Sequence, residues 1–335
     1  MSHSKIIHIG NIGNIGPHLV NELRRRGYDA LSVGYGRTDW PHALIPTDLQ
    51  FQSKDWREFY SVVRKLSEDY QIVHIHYCHV SPSATAILLK LLHHKIVVMH
   101  AHGNDVRFSL GRATPVRNLA MRLADRVIAS TPDLLEHIPR NKAEFLGQPV
   151  NLDTFKPTPS DLYEKLHDGV DFVLFHPVEP KNKYTTWIKG THHVLEAMQR
   201  LEKEYSLRLI MTRDILYSDM PKFYSAVDVV LDQFFYGSLT NVALETMACE
   251  RPLVTDFRHY ESYTVKPPCL PARSGDKIHE AMASILDDKS LRFRLGREGR
   301  EFVSAEHSIQ HITDRLLLIY KRILRRNASL GAQFA

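Results

Sequence analysis

At 335 residues, 43% hydrophobic and 24% charged, the chain has the composition of a soluble globular protein and exceeds what one core usually supports, so two domains are expected. The opening MSHSKIIHIGN is too polar for a secretory leader, no apolar run approaches the ~20 residues that cross a bilayer, and Cys78, Cys249 and Cys269 form no CxxC pair, which argues for a reducing, cytoplasmic setting without structural zinc. A formal net charge of +5 favours anionic partners without choosing among phosphates, nucleic acid and anionic lipid. The basic clusters Arg24, Arg25, Arg26 and Lys321, Arg322, Arg325, Arg326 fall in predicted helices and read as solvated faces.

Residues 5–9 predict a strand that runs into a glycine-rich turn, Gly10, Gly13 and Gly16, and then a helix with Pro17 near its start and Gly27 at its end. The strand ALSVG follows, so a parallel βαβ crossover is expected. The glycines do not match GxGxxG, and the second strand ends at Gly34, Tyr35, Gly36 without the acid that a dinucleotide ribose needs. Next come a helix over 55–69, strand QIVHIHY, a helix over 81–93, strand KIVVMHAH, a helix over 115–124, strand RVIAS, a helix over 132–138 and strand AEFLG. Strands alternating with helices predict a doubly wound parallel sheet.

The stretch GQPVNLDTFKPTPSD, rich in Pro, Asp and Thr, reads as a linker. A second alternating series follows: strand DFVLFHP, a helix over 190–204, strand LRLIMT, a helix over 218–226, and the segment from Asp228 to Asp256, DVVLDQFFYGSLTNVALETMACERPLVTD. Val229 to Leu231 read as a buried strand, followed by a loop with Gly237, Ser238, Thr240 and Asn241, a helix capped by Thr240 or Asn241, and a further strand after Pro252. The loop joins a strand's carboxyl end to a helix N-terminus, where backbone N–H groups can hold a phosphate. Glu245 is the lone acid on that otherwise apolar helix. Two readings stand: an exposed stripe, as for most glutamates, or a buried carboxylate meeting a polar partner such as a ribose diol. From Asp276 the chain is mostly helical.

The run GSLTNVALETMACERPLVT resembles the donor-site signature of retaining GT-B glycosyltransferases of the family 4 type. The resemblance implies two Rossmann-like α/β domains facing each other across a cleft. Residues 1–155 would be the acceptor domain and 156–311 the nucleotide-sugar donor domain, with a C-terminal helix, 312–335, crossing back to the first. Pro149, Val150, Asn151, Asp153, Phe155 and Pro157 resemble the family's interdomain connection. Glu245 would bind the ribose, Lys189 with Gly190 the diphosphate, and Gly237, Ser238, Leu239, Thr240 and Asn241 the phosphates and sugar. The family usually has a second Glu where this chain has Gly237, and an arginine where it has His176 and Pro177; Lys181 or Lys183 is the candidate for the second positive charge. His102, Gly103 and Asp105 resemble a His-Gly-x-Asp segment beside the transferred sugar, making His102 and Asp105 the catalytic candidates. Asn104 and Arg107, with Gly13 and Asn14 of the glycine-rich loop, are candidates for acceptor contact.

His74 with His76, and His100 with His102, each share one strand face by alternation, so a zinc site is conceivable. No HExxH or cysteine partner accompanies them, and the chain has no Asp-x-Asp. The expectation is therefore a metal-independent site without a cofactor. No GxSxG elbow is present, and Cys78 and Cys249 lack a nucleophile signature. Transfer of a sugar from a nucleotide-diphosphate donor to a carbohydrate or lipid-linked hydroxyl, with retained configuration, is the reading these residues and the resemblance give. The alternatives are a sugar-nucleotide epimerase or hydrolase, or a nucleotide-sugar binding protein without turnover. Peripheral contact with an anionic inner-membrane face is expected from the basic helices, and nucleic acid is not an expected partner.

Overall fold

The computed structural model describes residues 5–35, 45–53, 55–108, 111 and 114–333; Gly36 and the last two residues of the expected C-terminal helix lie outside them. The chain forms two units, Met1–Pro149 with Ile309–Ala335, and Val150–Ser308.

The first unit runs β1 (Ile6–Ile9), α1 (Ile15–Arg25), β2 (Ala30–Tyr35), β3 (Leu49–Phe51), α2 (Trp56–Leu66), β4 (Ile72–His76), α3 (Val80–His93), β5 (Ile96–Ala101), α4 (Asn104–Arg107), α5 (Thr114–Leu123), β6 (Arg126–Ala129) and β7 (Ala143–Phe145). The strands form one sheet in the order β3-β2-β1-β4-β5-β6-β7, with every pairing parallel. Alternation along each strand feeds two cores. Ile7, Ile9, Val73, Ile75, Val97 and Met99 pack with Phe59, Val63 and Leu89 of α2 and α3. Ile6, Ile72 and Val98 face the other way, toward Leu19 and Leu23 of α1. The register sets His8 opposite His74 and His76 opposite His100 on that second face.

The second unit runs α6 (Leu162–His167), β8 (Phe172–His176), α7 (Lys183–Lys189), α8 (Thr191–Glu204), β9 (Leu207–Met211), α9 (Met220–Ser225), β10 (Val229–Leu231), α10 (Asn241–Ala248), β11 (Leu253–Thr255), β12 (Leu270–Pro271), α11 (Gly275–Asp287) and α12 (Lys289–Glu306). Its parallel sheet has the order β12-β11-β10-β8-β9. Leu174, Val229, Leu231 and Val254 pack with Val194, Met198 and Leu201 of α8 and with Ile278 and Met282 of α11. The last helix, α13 (Ile309–Gln333), belongs to the first unit, where Ile312, Leu316, Ile319 and Tyr320 complete the core over α1.

The α/β architecture expected from the alternation is the one observed. Differences are local. Residues 132–137 form a 3-10 turn rather than an α-helix, and an additional helix, α7, precedes the one expected over 190–204, started by Asn182, whose Oδ1 accepts from Tyr184 N and Thr185 N at 3.1 Å. β3, α4, α6 and β12 have too few residues to leave a periodic pattern. The basic clusters are partly ion-paired rather than simply solvated: Arg24 with Asp48, Arg25 and Arg26 with Glu22, Arg26 with Asp314, and Arg322 with Glu144. Among the described residues no helix is long and apolar enough to cross a membrane.

Candidate functional site

Open parallel sheets bind ligands beyond the carboxyl ends of their strands, where the strand order reverses. In the second unit that point lies between β8 and β10. Asp232, immediately after β10, is fully buried and accepts from Thr240 Oγ1 at 2.6 Å and from Lys189 Nζ. Thr240 also caps α10, its hydroxyl accepting from Ala243 N at 3.4 Å. One carboxylate thus fixes both a lysine and the start of a helix whose first N–H groups lack intrahelical partners.

Gln233 shapes the loop between them. Its Oε1 accepts from Phe235 N and Tyr236 N at 2.9 and 2.7 Å, and its Nε2 donates to Ser238 O and Asp256 O at 2.9 and 2.8 Å. Ser238 and Leu239 are buried. Gly237 has φ +70, and a Cβ there would fall 2.7 Å from Arg258 Cδ. Gly237 therefore lies against a guanidinium, itself paired with the buried Asp256, which Arg273 Nε also meets at 2.8 Å.

Glu245 sits one turn into α10, half-buried, with Tyr224 of α9 donating to its Oε2 at 3.0 Å. Desolvation pushes its carboxyl from the ordinary 4.5 up to about 8; the Tyr224 hydroxyl opposes the shift and the charge of Asp232 adds to it. The exposed-stripe reading is excluded.

Lys189 and Gly190 stand at the opening of α8, as expected; Lys189 is also the last residue of α7, and Gly190, at φ +67, is the left-handed joint between the two helices. His176 is fully buried: its Nδ1 donates to Leu231 O at 2.7 Å, so Nε2 is the acceptor for Thr191 Oγ1 at 2.9 Å. Burial lowers it to about 4, so it is a neutral clamp between β8, β10 and α8 rather than a replacement cation. Lys181 and Lys183 are exposed, before and at the start of α7.

In the first unit the order reverses between β1 and β4. Gly13 and Asn14 have consecutive φ of 57 and 64, and Asn14 Oδ1 accepts from Ile45 N at 2.7 Å, so the turn is tied to a neighbouring segment. Asp105 is fully buried; its oxygens accept from Cys78 N at 2.7 Å, Gly103 N at 2.8 Å and His102 N at 3.1 Å. Through these backbone contacts it holds the His102 loop in place. Arg107 pairs with Asp133 at 2.6 Å and donates to Thr131 Oγ1 at 3.2 Å, while Asn104 is the half-buried first residue of α4. His102 is partly exposed, and its Nε2 lies 3.0 Å from His76 Nδ1.

The expected donor residues Lys189, Gly190, Gly237–Asn241 and Glu245 thus come together around the end of β10. Tyr224, Asp232, Gln233, Arg258 and Arg273 were not among the expected site residues. An Asp-Gln pair directly after a buried strand was the one signal in the sequence pointing to two of them.

Two parallel sheets, each flanked by helices and each with loops gathered at its switch point, give the chain the α/β fold of the GT-B glycosyltransferases. The family model described as "Glycosyl transferase-like" matches residues 162–318, a little under half of the chain. Sucrose-phosphate synthase from Thermosynechococcus elongatus is similar in structure, with 15% identity, a TM-score of 0.70, and coverage of 97% of this chain and 100% of that one. HepE of Anabaena in complex with UDP and glucose matches with 15% identity and a TM-score of 0.70 over 95% of this chain and 100% of its own. UDP-N-acetylglucosamine 2-epimerase from Rickettsia bellii matches with 15% identity and a TM-score of 0.52, over 96% of each chain. No curated protein matches the chain by sequence.

Proposed function

We propose that the protein is a retaining glycosyltransferase of the family 4 type that moves a sugar from a nucleotide-diphosphate donor to a hydroxyl of a carbohydrate or lipid-linked acceptor. The observation that carries this reading is the polar cluster at the end of β10: Asp232, the Thr240-capped helix start and the half-buried Glu245 lie on one strand–loop–helix unit, and Lys189, at the end of α7, is ion-paired to its Asp232. Lys189 and the α10 N-terminus hold the diphosphate without a metal, as cation and helix end both favour phosphate. Arg258, whose side chain covers Gly237, joins Lys181 and Lys183 as a candidate for the second cation. Glu245 accepts the ribose hydroxyls. HepE, described with UDP and with UDP-glucose, supports a uridine donor as the first probe.

Thermal shift with UDP-, GDP- and ADP-sugars tests donor binding, since a ligand of the native state raises Tm. At least one should stabilise the wild type, and Lys189→Ala should remove most of that shift; an unchanged shift rejects the diphosphate role. The likeness to a 2-epimerase favours a second reading, conversion of the sugar nucleotide without an acceptor. Incubating the stabilising donor with and without candidate acceptors separates transfer from epimerisation or hydrolysis. A cytoplasmic, peripheral location at an anionic membrane face is part of the same proposal, and failure to co-float with anionic vesicles at low salt counts against it.

A further inference from the structure

Five histidines from three adjacent strands, with one tyrosine of α13, form a single unbranched hydrogen-bonded string. Beginning at the surface, His102 Nε2 meets His76 Nδ1 at 3.0 Å, and His76 Nε2 meets His8 Nδ1 at 2.9 Å. His8 Nε2 meets Tyr320 Oη at 3.1 Å, Tyr320 Oη meets His74 Nδ1 at 2.6 Å, and His74 Nε2 meets His100 Nδ1 at 3.2 Å. The string doubles back on itself, so its two ends, His100 and His102, stack with ring centroids 4.3 Å apart. The two terminal nitrogens, His102 Nδ1 and His100 Nε2, are buried and have no hydrogen-bond partner. His102 is the one ring of the five that is not fully buried.

Proton bookkeeping constrains this string sharply. Burial lowers all five imidazoles far below their ordinary range, so each ring is neutral and carries one N–H. Six groups then bring six protons to five hydrogen bonds. Each bond needs one proton, so every group must point its hydrogen in the same direction along the string. Only two arrangements satisfy this. In one, all five histidines are protonated on Nδ1 and the free His102 nitrogen is a donor; in the other, all five are protonated on Nε2 and that nitrogen is an acceptor. Passing between them takes one proton in at one end and one out at the other, with each bond proton hopping to its neighbour, so charge and proton count balance.

We infer that these six groups act as one proton array, in which the Tyr320 hydroxyl of α13 joins the His102–His76–His8 group to the His74–His100 pair, so that the tautomer of His102 follows that of His100. The array does not depend on the transferase reading. Tyr320 is a positioning residue in this scheme. His8, His74 and His76, and His76, His100 and His102, each bring ring nitrogens within 4.8 Å of one another, as metal ligands would. However, both nitrogens of His76 are already engaged by His8 and His102, so an ion would have to break the string.

Long-range 1H–15N correlation spectra of the histidine-labelled full chain test the array independently of any enzymatic activity. In the wild type between pH 6 and 8, all five rings should stay neutral and show one common ratio of the two tautomers. In Tyr320→Phe, which keeps the ring and removes the hydroxyl, the His102–His76–His8 group should lose step with the His74–His100 pair. Tautomer ratios that differ from ring to ring in the wild type, an imidazolium signal, or an unaltered common ratio in Tyr320→Phe would overturn the proposal. So would stoichiometric Zn2+ binding by calorimetry that shifts the five signals together, which would make the cluster a metal centre. The wild-type spectrum alone is decisive if the variant does not fold.

Discussion

Glu245 is where a single side chain carries the most information. Its carboxyl is raised to about 8, so between the unfolded value near 4.5 and 8 the folded state holds a proton that the unfolded state releases. The sign follows from linkage: the stability this group contributes is fully present below about 4.5 and is lost as pH rises through about 8. The wild type should therefore lose more Tm between pH 5 and 8 than Glu245→Gln, whose amide does not titrate; parallel curves from differential scanning fluorimetry would reject the assignment. A ribose diol donates to an ionised carboxylate, so nucleotide-sugar affinity should fall by up to about tenfold per pH unit below 8 in the wild type, and stay flat in the glutamine variant. Gly190 presents a different constraint. Its φ is +67, and a Cβ would lie 2.9 Å from Phe234 Cβ, so Gly190→Ala should destabilise the second unit by about 1–3 kcal/mol, readable as a lower urea midpoint.

At the scale of elements, close helix packing depends on two glycines of α12. A Cβ on Gly296 would stand 2.2 Å from the backbone oxygen of Glu250, and one on Gly299 would stand 3.0 Å from Met247 Cγ. The first obstacle is main chain and has little freedom to move, whereas the second is a flexible thioether. Gly296→Ala should therefore cost more stability than Gly299→Ala, and equal urea midpoints would sink the distinction. The strands were legible because buried parallel strands are nearly continuous apolar runs, and the α10 helix because Thr240 and an apolar face announce it. The Lys189–Gly190 pair was legible as the opening of α8, but the short helix α7, capped by Asn182 and ending at Lys189, has too few residues to leave a periodic pattern. Tyr224, Arg258 and Arg273 escaped because the sheet order, which no local pattern records, sets them beside α10 and its loop. His176 lies where the expected site does, yet the neighbouring strand's Leu231 carbonyl, invisible in the sequence, takes its Nδ1.

At the scale of the whole molecule, the second unit is one continuous segment, Val150–Ser308, with its own sheet and core. Every residue proposed above to hold the donor lies within it. Expressed alone, 150–308 should unfold cooperatively and keep the thermal shift that a nucleotide sugar gives the full chain; a fragment that folds but shows no shift would mean that the donor needs groups from the first unit as well. The first unit cannot be cut out in the same way, since α13 covers α1 and supplies Tyr320 from the far side of the intervening segment.

That discontinuity has an outcome during synthesis. A ribosome finishes residues 150–308 before it translates the helix that seals the earlier-made sheet, so the nascent amino-terminal half must wait with an apolar face uncovered while the later half matures. Messages truncated between codons 308 and 320 should yield chains that chaperones retain, even though the portion they lack is only a twelfth of the length or less.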